Sequence, residues 1–295
     1  NAQEKEKKLS LKDAMESAKK SYKVDIESGF KIIHLDPSID IHNKPTIDQI
    51  LDRLFELYEY CFQIAEKANK EILFEVGTEE QTGSSNTIDE FEYTLRKIYS
   101  FCSKNNLPKP TFVVAQTGTK VMERRNVGSF DQPLRVVDEM PPEIQIPKIL
   151  DICKNFNIML KQHNTDYLSD ESLFWHPRLG IHSANIAPEF GVAETLALLK
   201  TLEENNLKSI SEKIIELSYE SNKWKKWMIP ENKTDEREKA IIAGHYIFSN
   251  KDFIELKHKA ILELKLKNLN LDTILTNAIK SSIFRYMRLF RLIKR

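Results

Sequence analysis

Short apolar runs alternate with longer amphipathic segments through the first two thirds of the chain. Five of the runs read as β-strands, because they are rich in β-branched residues and are bounded by Pro, Gly or polar residues. They begin near residues 31, 72, 111, 157 and 180. Each is followed by a segment whose apolar residues recur every three or four positions, as in an amphipathic helix. This alternation predicts a parallel α/β fold built from βα units.

Helix signals are clear at several points. The segment from Leu9 to Gly29 ends at a glycine, the pair Pro45-Thr46 opens a strongly amphipathic segment, and Thr87 and Glu90 have the spacing of a capping box. From Lys208 onwards the pattern contains only helix signals, and the segment from 280 to 295 reads as a basic amphipathic helix. We therefore predict a barrel portion over residues 1–207 and a helical C-terminal extension over residues 208–295.

Five strands are fewer than the eight that a (β/α)8 barrel needs. Two interpretations follow: either the sheet is open and doubly wound, or three further βα units lie upstream of Asn1. The second is favoured because the chain does not begin with Met and its first helix has no strand before it. The predicted fold class is α/β, a TIM (β/α)8 barrel with a C-terminal helical extension.

Composition narrows the classes of partner. Lys and Arg together number 44, as do Asp and Glu, so the chain has no net charge that would favour a nucleic acid. No apolar stretch approaches the roughly 20 residues of a membrane-spanning helix, and the N-terminal residues do not read as a signal peptide. We expect a cytoplasmic protein without nucleic-acid or membrane contacts. Cys61, Cys102 and Cys153 fall in helical patterns, which favours free buried thiols over a disulfide or zinc framework.

Polar residues follow each predicted strand, where the carboxyl ends of parallel strands form one rim. A histidine and carboxylates are suitable ligands for a divalent ion that polarises a carbonyl and stabilises an enediolate. We therefore predict His163, Glu75 and Asp36 as metal ligands and catalytic residues. The predicted contacts to a sugar or its phosphate are Gln116, Lys120, Asn164, Asp166 and Asn185. Thr117 and His182 lie at the same rim. Walker, Rossmann, GxSxG and HExxH patterns are missing from the sequence, so nucleotide-binding and serine-hydrolase functions lack their usual residues.

Five segments carry a resemblance to a known family. They are IIHLDPSID (Ile32 to Asp40), FEVGTEEQTG (Phe74 to Gly83), TFVVAQTGTKV (Thr111 to Val121), QHNTDY (Gln162 to Tyr167) and GIHSANIAPEFGVAETLALL (Gly180 to Leu199). In this order they resemble the D-tagatose-1,6-bisphosphate aldolase family, and specifically the large, non-catalytic or chaperone-like subunit of the two-component enzyme. The resemblance implies a TIM barrel related to class II, zinc-dependent ketose-bisphosphate aldolases. It places Asp36, Glu75, His163 and Asn185 at positions that carry the family's acidic residues, metal-binding histidine and asparagine.

The chain departs from class II enzymes at two points. The Asp-His pair that supplies their catalytic acid and a metal ligand has no counterpart, and Thr117 stands before Gly118 where they place a further histidine. One hypothesis is a lyase that acts on a phosphorylated ketose such as tagatose 1,6-bisphosphate through a metal-stabilised enediolate, with zinc as the expected ion. The alternative is a non-catalytic subunit that stabilises and activates a class II aldolase partner. A homo-oligomer is compatible with either hypothesis.

Overall fold

A computed structural model of the chain describes residues 9–40, 43–78, 87–132 and 140–293. The first part alternates helices with parallel strands, as the hydrophobic pattern predicted. The elements in chain order are α1 (Leu11–Ser28), β1 (Ile32–Leu35), α2 (Ile47–Lys67), β2 (Leu73–Val76), α3 (Ile88–Lys104), β3 (Phe112–Ala115), β4 (Val121–Met122), β5 (Arg125–Asn126), a 3₁₀ turn (Ser129–Asp131), α4 (Pro142–Phe156), β6 (Met159–Gln162), α5 (Asp170–Leu179) and β7 (Ser183–Ala184).

The rest of the described chain is helical. It contains α6 (Pro188–Glu204), α7 (Lys208–Glu220), a 3₁₀ helix (Lys223–Trp227), α8 (Glu236–Ala243), a 3₁₀ helix (Gly244–Ile247), α9 (Lys251–Lys265) and α10 (Leu271–Leu289). Helix signals beyond Lys208 were thus read correctly. None of the helices in the described ranges is long and apolar enough to span a bilayer.

The prediction of an eight-stranded TIM barrel is wrong for the part of the chain that the structure describes. The parallel strands form an open five-stranded sheet in the order β1-β2-β3-β6-β7. A barrel closes only when its first and last strands pair, and here β1 and β7 are the two edges of the sheet. Strands β4 and β5, which the hydrophobic pattern did not reveal, form a separate antiparallel pair.

The described residues divide into two compact units. The first comprises Asn1–Thr119, Gly128–His163 and Arg178–Ala184, and the second comprises Lys120–Val127, Asn164–Pro177 and Asn185–Arg295. The chain therefore passes between the units more than once. The sequence-based boundary between residues 207 and 208 stays a prediction.

The first unit has its hydrophobic core on one face of the parallel sheet. Side chains alternate along each strand, so Ile33 and Leu35 of β1 and Phe74 and Val76 of β2 point to the same face. Helices α1 to α4 contribute the facing residues. The fully buried members include Ile26, Leu51, Leu54, Tyr58, Leu95, Ile98, Ile146, Ile149 and Leu160. His34, Glu75 and Lys161 lie at the alternate strand positions and so point to the opposite face of the sheet.

The second unit has a core of its own, made by helices. Leu198, Leu199 and Leu202 of α6 pack in one cluster with Ile214 of α7 and with residues from α8 to α10. Trp224 in the 3₁₀ helix stacks on Tyr219, with ring centroids 5.5 Å apart. Trp224 thus packs against a side chain of the same unit.

Two helix starts differ in how they are capped. Thr46 forms a full capping box with Gln49, since each side chain accepts a hydrogen bond from the other residue's backbone N–H. Thr87, for which the sequence predicted such a box with Glu90, makes no capping hydrogen bond with its side chain.

The three cysteines, Cys61, Cys102 and Cys153, are free and buried.

Candidate metal centre

Charged side chains lie on the face of the parallel sheet that is opposite to the core. His34 and Glu75 occupy paired positions of β1 and β2. Glu75 is paired with Phe112 in β3, and Lys161 of β6 is paired with Val114, two residues further along β3. Since residues two apart in a strand share a face, His34, Glu75 and Lys161 point to the same side of the sheet.

Three potential metal ligands meet on this face. His34, Glu75 and His163 each offer one ligand atom, and these atoms all lie within 4.8 Å of one another. Oε1 of Glu75 lies 2.9 Å from Nδ1 of His34 and 3.2 Å from Nε2 of His163. The two imidazole rings are 5.0 Å apart between centroids. The sheet therefore converges two histidines on a single carboxylate oxygen.

Glu75 is the buried anion at the centre of this group. Its side chain is 2 % exposed, and its second oxygen, Oε2, lies 2.5 Å from Nζ of Lys161. Burial acts to raise the pKa of Glu75, but the close contacts with His163, His34 and Lys161 lower it by more, and the pKa falls well below its usual range. Glu75 is thus an ionised carboxylate at any pH at which the protein would function.

The geometry fits a divalent ion. Ligand atoms placed about 2.1 Å from a tetrahedral zinc ion are about 3.4 Å apart, and the distances of 2.9 Å and 3.2 Å to Oε1 of Glu75 are close to this value. Nδ1 of His34 is buried and makes no well-aligned hydrogen bond, although it lies close to that oxygen. A buried ring nitrogen without a directed partner is available as a ligand. A group of two histidines and one carboxylate could hold an ion and would leave coordination positions open for a substrate.

Hydrogen bonds to their backbone carbonyl oxygens hold both His163 and His34 in place. The Thr119 hydroxyl donates a 2.6 Å hydrogen bond to the carbonyl oxygen of His163. The Tyr22 hydroxyl donates to the carbonyl oxygen of His34 at 3.0 Å. Such contacts hold the ligand-bearing backbone in place, as preorganised metal sites require.

Asp36, a predicted ligand, lies outside this three-residue group. It follows His34 by two residues at the end of β1 and is half-buried. Its Oδ1 accepts a hydrogen bond from the backbone N–H of Ser38. A Cβ atom at Gly77 would lie 3.0 Å from its Oδ2, so the carboxylate sits beside the end of β2. Its predicted roles in metal binding and catalysis stay predictions.

Other residues of the predicted rim in the first unit make structural contacts. Nδ1 of His182 accepts a hydrogen bond from the backbone N–H of Leu160, which links β6 to the segment before β7. Thr117 is fully buried, and its hydroxyl accepts a hydrogen bond from the side-chain amide of Gln162. Gln116 is half-buried at the end of β3.

In the second unit, Asn164 and Asn185 form a hydrogen-bonded loop pair. Oδ1 of Asn185 accepts from the backbone N–H of Asn164, and its backbone carbonyl accepts from Thr165. The side chain of Asn126 donates to the carbonyl oxygens of Asn164 and Asp166. Lys120 donates its backbone N–H to Oδ1 of Asn126. These contacts shape the loop, and the predicted roles of Lys120, Asn164 and Asn185 in substrate binding stay predictions.

Asp166 is the buried carboxylate of this network. Its Oδ1 accepts the backbone N–H groups of Ala187 and Glu189 at the start of α6, both at 2.9 Å. Burial raises its pKa to about 6, against the lowering effect of these hydrogen bonds. The observed contacts describe a helix-capping carboxylate, and its predicted contact with substrate stays untested.

Two residues of the centre were not predicted from the sequence, namely His34 and Lys161. His34 lies inside a predicted strand, and Lys161 directly follows the apolar run from Ile158 to Leu160 that predicted another. Strand alternation would have shown them, because His34 stands between the buried Ile33 and Leu35, and Lys161 stands between the buried Leu160 and Gln162. A polar residue at the outward position of a strand is the signal that was missed.

Sequence comparisons identify no relative: no known protein family matches the chain, and no curated protein sequence is recognisably similar to it. Solved structures do match. The chain is similar to the crystal structure of a probable tagatose 6 phosphate kinase from Sinorhizobium meliloti 1021, with a TM-score of 0.68 and 14% sequence identity, over 95% of this chain and 78% of that one.

A second similarity is to the fructuronate-tagaturonate epimerase UxaE from Cohnella laeviribosi. Its complex with two glycerol molecules matches with a TM-score of 0.56 and 13% identity, over 96% of this chain and 67% of the epimerase. Its complex with one glycerol matches with a TM-score of 0.54 and 10% identity, over 95% of this chain and 60% of the epimerase. The chain thus spans about two thirds of the epimerase or less. At this identity the comparisons establish a shared fold, and membership of the tagatose-bisphosphate aldolase family is not shown.

Proposed function

We propose that this chain is a metal-dependent enzyme that acts on a sugar or sugar derivative carrying a carbonyl group. The observation that carries the proposal is the convergence of His34, Glu75 and His163 at one face of the parallel sheet, within 4.8 Å of one another. A buried carboxylate flanked by two imidazoles suits a divalent ion such as zinc, and three protein ligands are the number typical of a catalytic site.

The chemistry follows from the charge and placement of the residues. A divalent ion held there would polarise a carbonyl oxygen and favour loss of a proton from the adjacent carbon, giving an enediolate. Glu75 and the two histidines orient the site, and they cannot serve as bases while they are ligands. Asp36 is a carboxylate at the end of the same strand as His34, and its position outside the ligand group leaves it free to take the proton.

Ketoses and keto-sugar acids are the substrate class that we propose. The two proteins of similar fold are named for tagatose 6-phosphate and for fructuronate and tagaturonate. The finer proposal, which also rests on the resemblance of the five sequence segments, is aldol cleavage of a phosphorylated ketose such as tagatose 1,6-bisphosphate. An enediolate is common to aldol cleavage and to epimerisation next to a carbonyl, so the metal centre serves either reaction.

A second candidate function is a non-catalytic subunit that stabilises a class II aldolase partner. Thr117 supports this alternative, since it stands where those enzymes carry a further histidine. It is fully buried and bonded to Gln162, so it does not act as a replacement ligand. A subunit of this kind would keep the sheet and lack turnover when purified alone.

Proton exchange tests the proposal independently of the final product. The chain, loaded with zinc, is incubated in deuterium oxide with dihydroxyacetone phosphate, tagatose 1,6-bisphosphate or tagaturonate, and deuterium entry next to the carbonyl is followed by NMR. We expect exchange with at least one substrate, and its loss with a chelator or in His163→Ala. The matched control is His258→Ala, which removes an exposed histidine of α9. Stoichiometric zinc without exchange on any substrate would favour the subunit function, and failure to bind zinc would overturn the metal centre.

A further inference from the structure

Among the described residues, Lys161 is the lysine whose ammonium group contacts the buried carboxylate of Glu75. Its Nζ lies 2.5 Å from Oε2 of Glu75, while both histidines lie next to Oε1. Lys161 is 19 % exposed and Glu75 is 2 % exposed, so the pair is largely withdrawn from water. At such a short distance the contact is a charge-assisted hydrogen bond, which is stronger than a neutral one.

The two oxygens of Glu75 have different partners, which affects how Glu75 could bind a metal ion. A carboxylate binds a metal with one oxygen or with both. In Glu75, the oxygen that faces Lys161 is engaged, and the oxygen that faces the two histidines remains for an ion. Glu75 would therefore bind with Oε1 alone, and an additional coordination position would stay open.

Lys161 also changes the charge of the centre. A divalent ion with one glutamate and two neutral histidines carries one net positive charge, and the ammonium of Lys161 adds a second. In a largely buried site, a positive charge a few ångströms away strengthens the binding of an anion, because the surrounding water screens it only partly. The additional charge favours an anionic oxygen ligand over a neutral one.

We propose that Lys161 is a positioning residue of the metal centre: it restricts Glu75 to coordination through Oε1 and favours ligands that present anionic oxygens to the ion, such as the enediolate formed from a ketose or the carboxylate of a 2-oxo acid. This inference rests on the proposed function, because it requires that the three-residue group binds metal. Lys161 contacts Glu75, a proposed ligand of the ion, and does not itself bind the ion.

The test uses cobalt(II) as the metal and oxalate as the anionic probe. Cobalt(II) absorbs visible light more weakly as its coordination number rises, so its spectrum reports whether Glu75 gains a second bond to the ion. The variants are Lys161→Met, which removes the charge and the donors, Lys161→Gln, which keeps a neutral donor, and Lys161→Arg, which keeps the charge. Lys154→Met, at an exposed position of α4, is the matched control.

We expect Lys161→Met to bind cobalt with a weaker visible absorption than the wild-type chain, and to bind oxalate about tenfold more weakly or worse. Lys161→Gln should show the same loss of oxalate affinity, so the charge effect is measured even if Lys161→Met does not fold. Lys161→Arg and Lys154→Met should resemble wild type. Unchanged spectra and oxalate affinity in both neutral variants would overturn this inference and leave the metal centre standing. Absence of cobalt binding in the wild-type chain would overturn the proposed function and this inference with it.

Discussion

His34 and Glu75 occupy paired positions of two neighbouring parallel strands, and Nδ1 of His34 lies 2.9 Å from Oε1 of Glu75. The register of the strands sets this distance, because paired residues of adjacent strands point to the same face. Because of this register, His34 rather than Asp36 lies next to the buried carboxylate of Glu75.

The first prediction distinguishes His34 from Asp36 as a ligand of the metal ion. His34→Ala removes a ligand atom and should weaken zinc binding at least about 100-fold, since even the loss of a residue outside the ligand set costs 10- to 100-fold. Asp36→Ala should weaken zinc binding by much less. Competition with a chromophoric zinc chelator measures both affinities. A larger loss in Asp36→Ala than in His34→Ala would show that Asp36 is the ligand, as the sequence analysis had it.

The sequence was sufficient for most helices, for the parallel strands and for two residues of the candidate site. Hydrophobic periodicity located the parallel strands, because buried strands are short apolar runs, and it placed Glu75 and His163 at the carboxyl ends of two of these strands. It could not show closure of the sheet, since an open sheet and part of a barrel have the same alternation of strands and helices. The pair β4–β5 was not predicted, because strands of two residues are too short to show a hydrophobic periodicity. Lys161 escaped because its role depends on its distance from Glu75, which only the register of three strands determines.

The second prediction concerns His176, which is 2 % exposed in α5. Burial lowers its pKa to about 3, so the ring is neutral in the folded protein, whereas the unfolded chain takes up a proton near pH 6.5. The folded state therefore gains stability from the neutral ring above pH 6.5 and loses it progressively as the pH falls towards 3. Between pH 6.5 and pH 5 this loss is about 2 kcal/mol.

Urea unfolding of the wild type and of His176→Phe at pH 7 and at pH 5 measures this contribution. The variant should lose about 2 kcal/mol less than the wild type over this interval. The comparison of two pH values within each protein removes the constant cost of the substitution. Equal losses in the two proteins would mean that the ring takes up its proton at the same pH in the folded and in the unfolded chain, which would contradict a lowered pKa for His176.

The third prediction has the opposite sign and concerns Asp166. Burial raises its pKa to about 6, so the folded protein holds a proton between about pH 4 and pH 6 that the unfolded chain has released. The folded state is therefore favoured below pH 4, and this contribution is lost as the pH rises through 6, by about 2 to 3 kcal/mol in total.

Asp166→Asn removes the titration and keeps the hydrogen-bond acceptor, since its Oδ1 can accept the N–H groups of Ala187 and Glu189 as Asp166 does. The variant should gain stability relative to the wild type between pH 4 and pH 7, as measured by urea unfolding at the two values. A stability difference that is the same at both pH values would contradict a raised pKa for Asp166.

The fourth prediction concerns the turn in which the backbones of Gly118 and Gly128 approach each other. A Cβ atom at Gly128 would lie 2.1 Å from the carbonyl oxygen of Gly118, which also accepts a hydrogen bond from the N–H of Phe130. The φ angle of Gly128 is −77°, a value that any residue adopts, so only the close approach of the two backbones requires glycine there.

Gly128→Ala should therefore cost about 3 kcal/mol or more of unfolding free energy, because a backbone atom must move to admit the methyl group. Gly29→Ala is the matched control: no atom lies within 4 Å of its added Cβ, and only the strain of its φ of +93° is measured, which costs about 1 kcal/mol.

The two variants should also differ in metal binding. Thr119, next to Gly118, donates the hydrogen bond that holds the carbonyl of His163, so displacement of this turn would move a proposed metal ligand. Zinc affinity measured on the folded fraction should fall in Gly128→Ala and stay unchanged in Gly29→Ala. If Gly128→Ala unfolds more easily and yet binds zinc as the wild type does, the turn contributes to stability alone, and the backbone of His163 is fixed by other contacts.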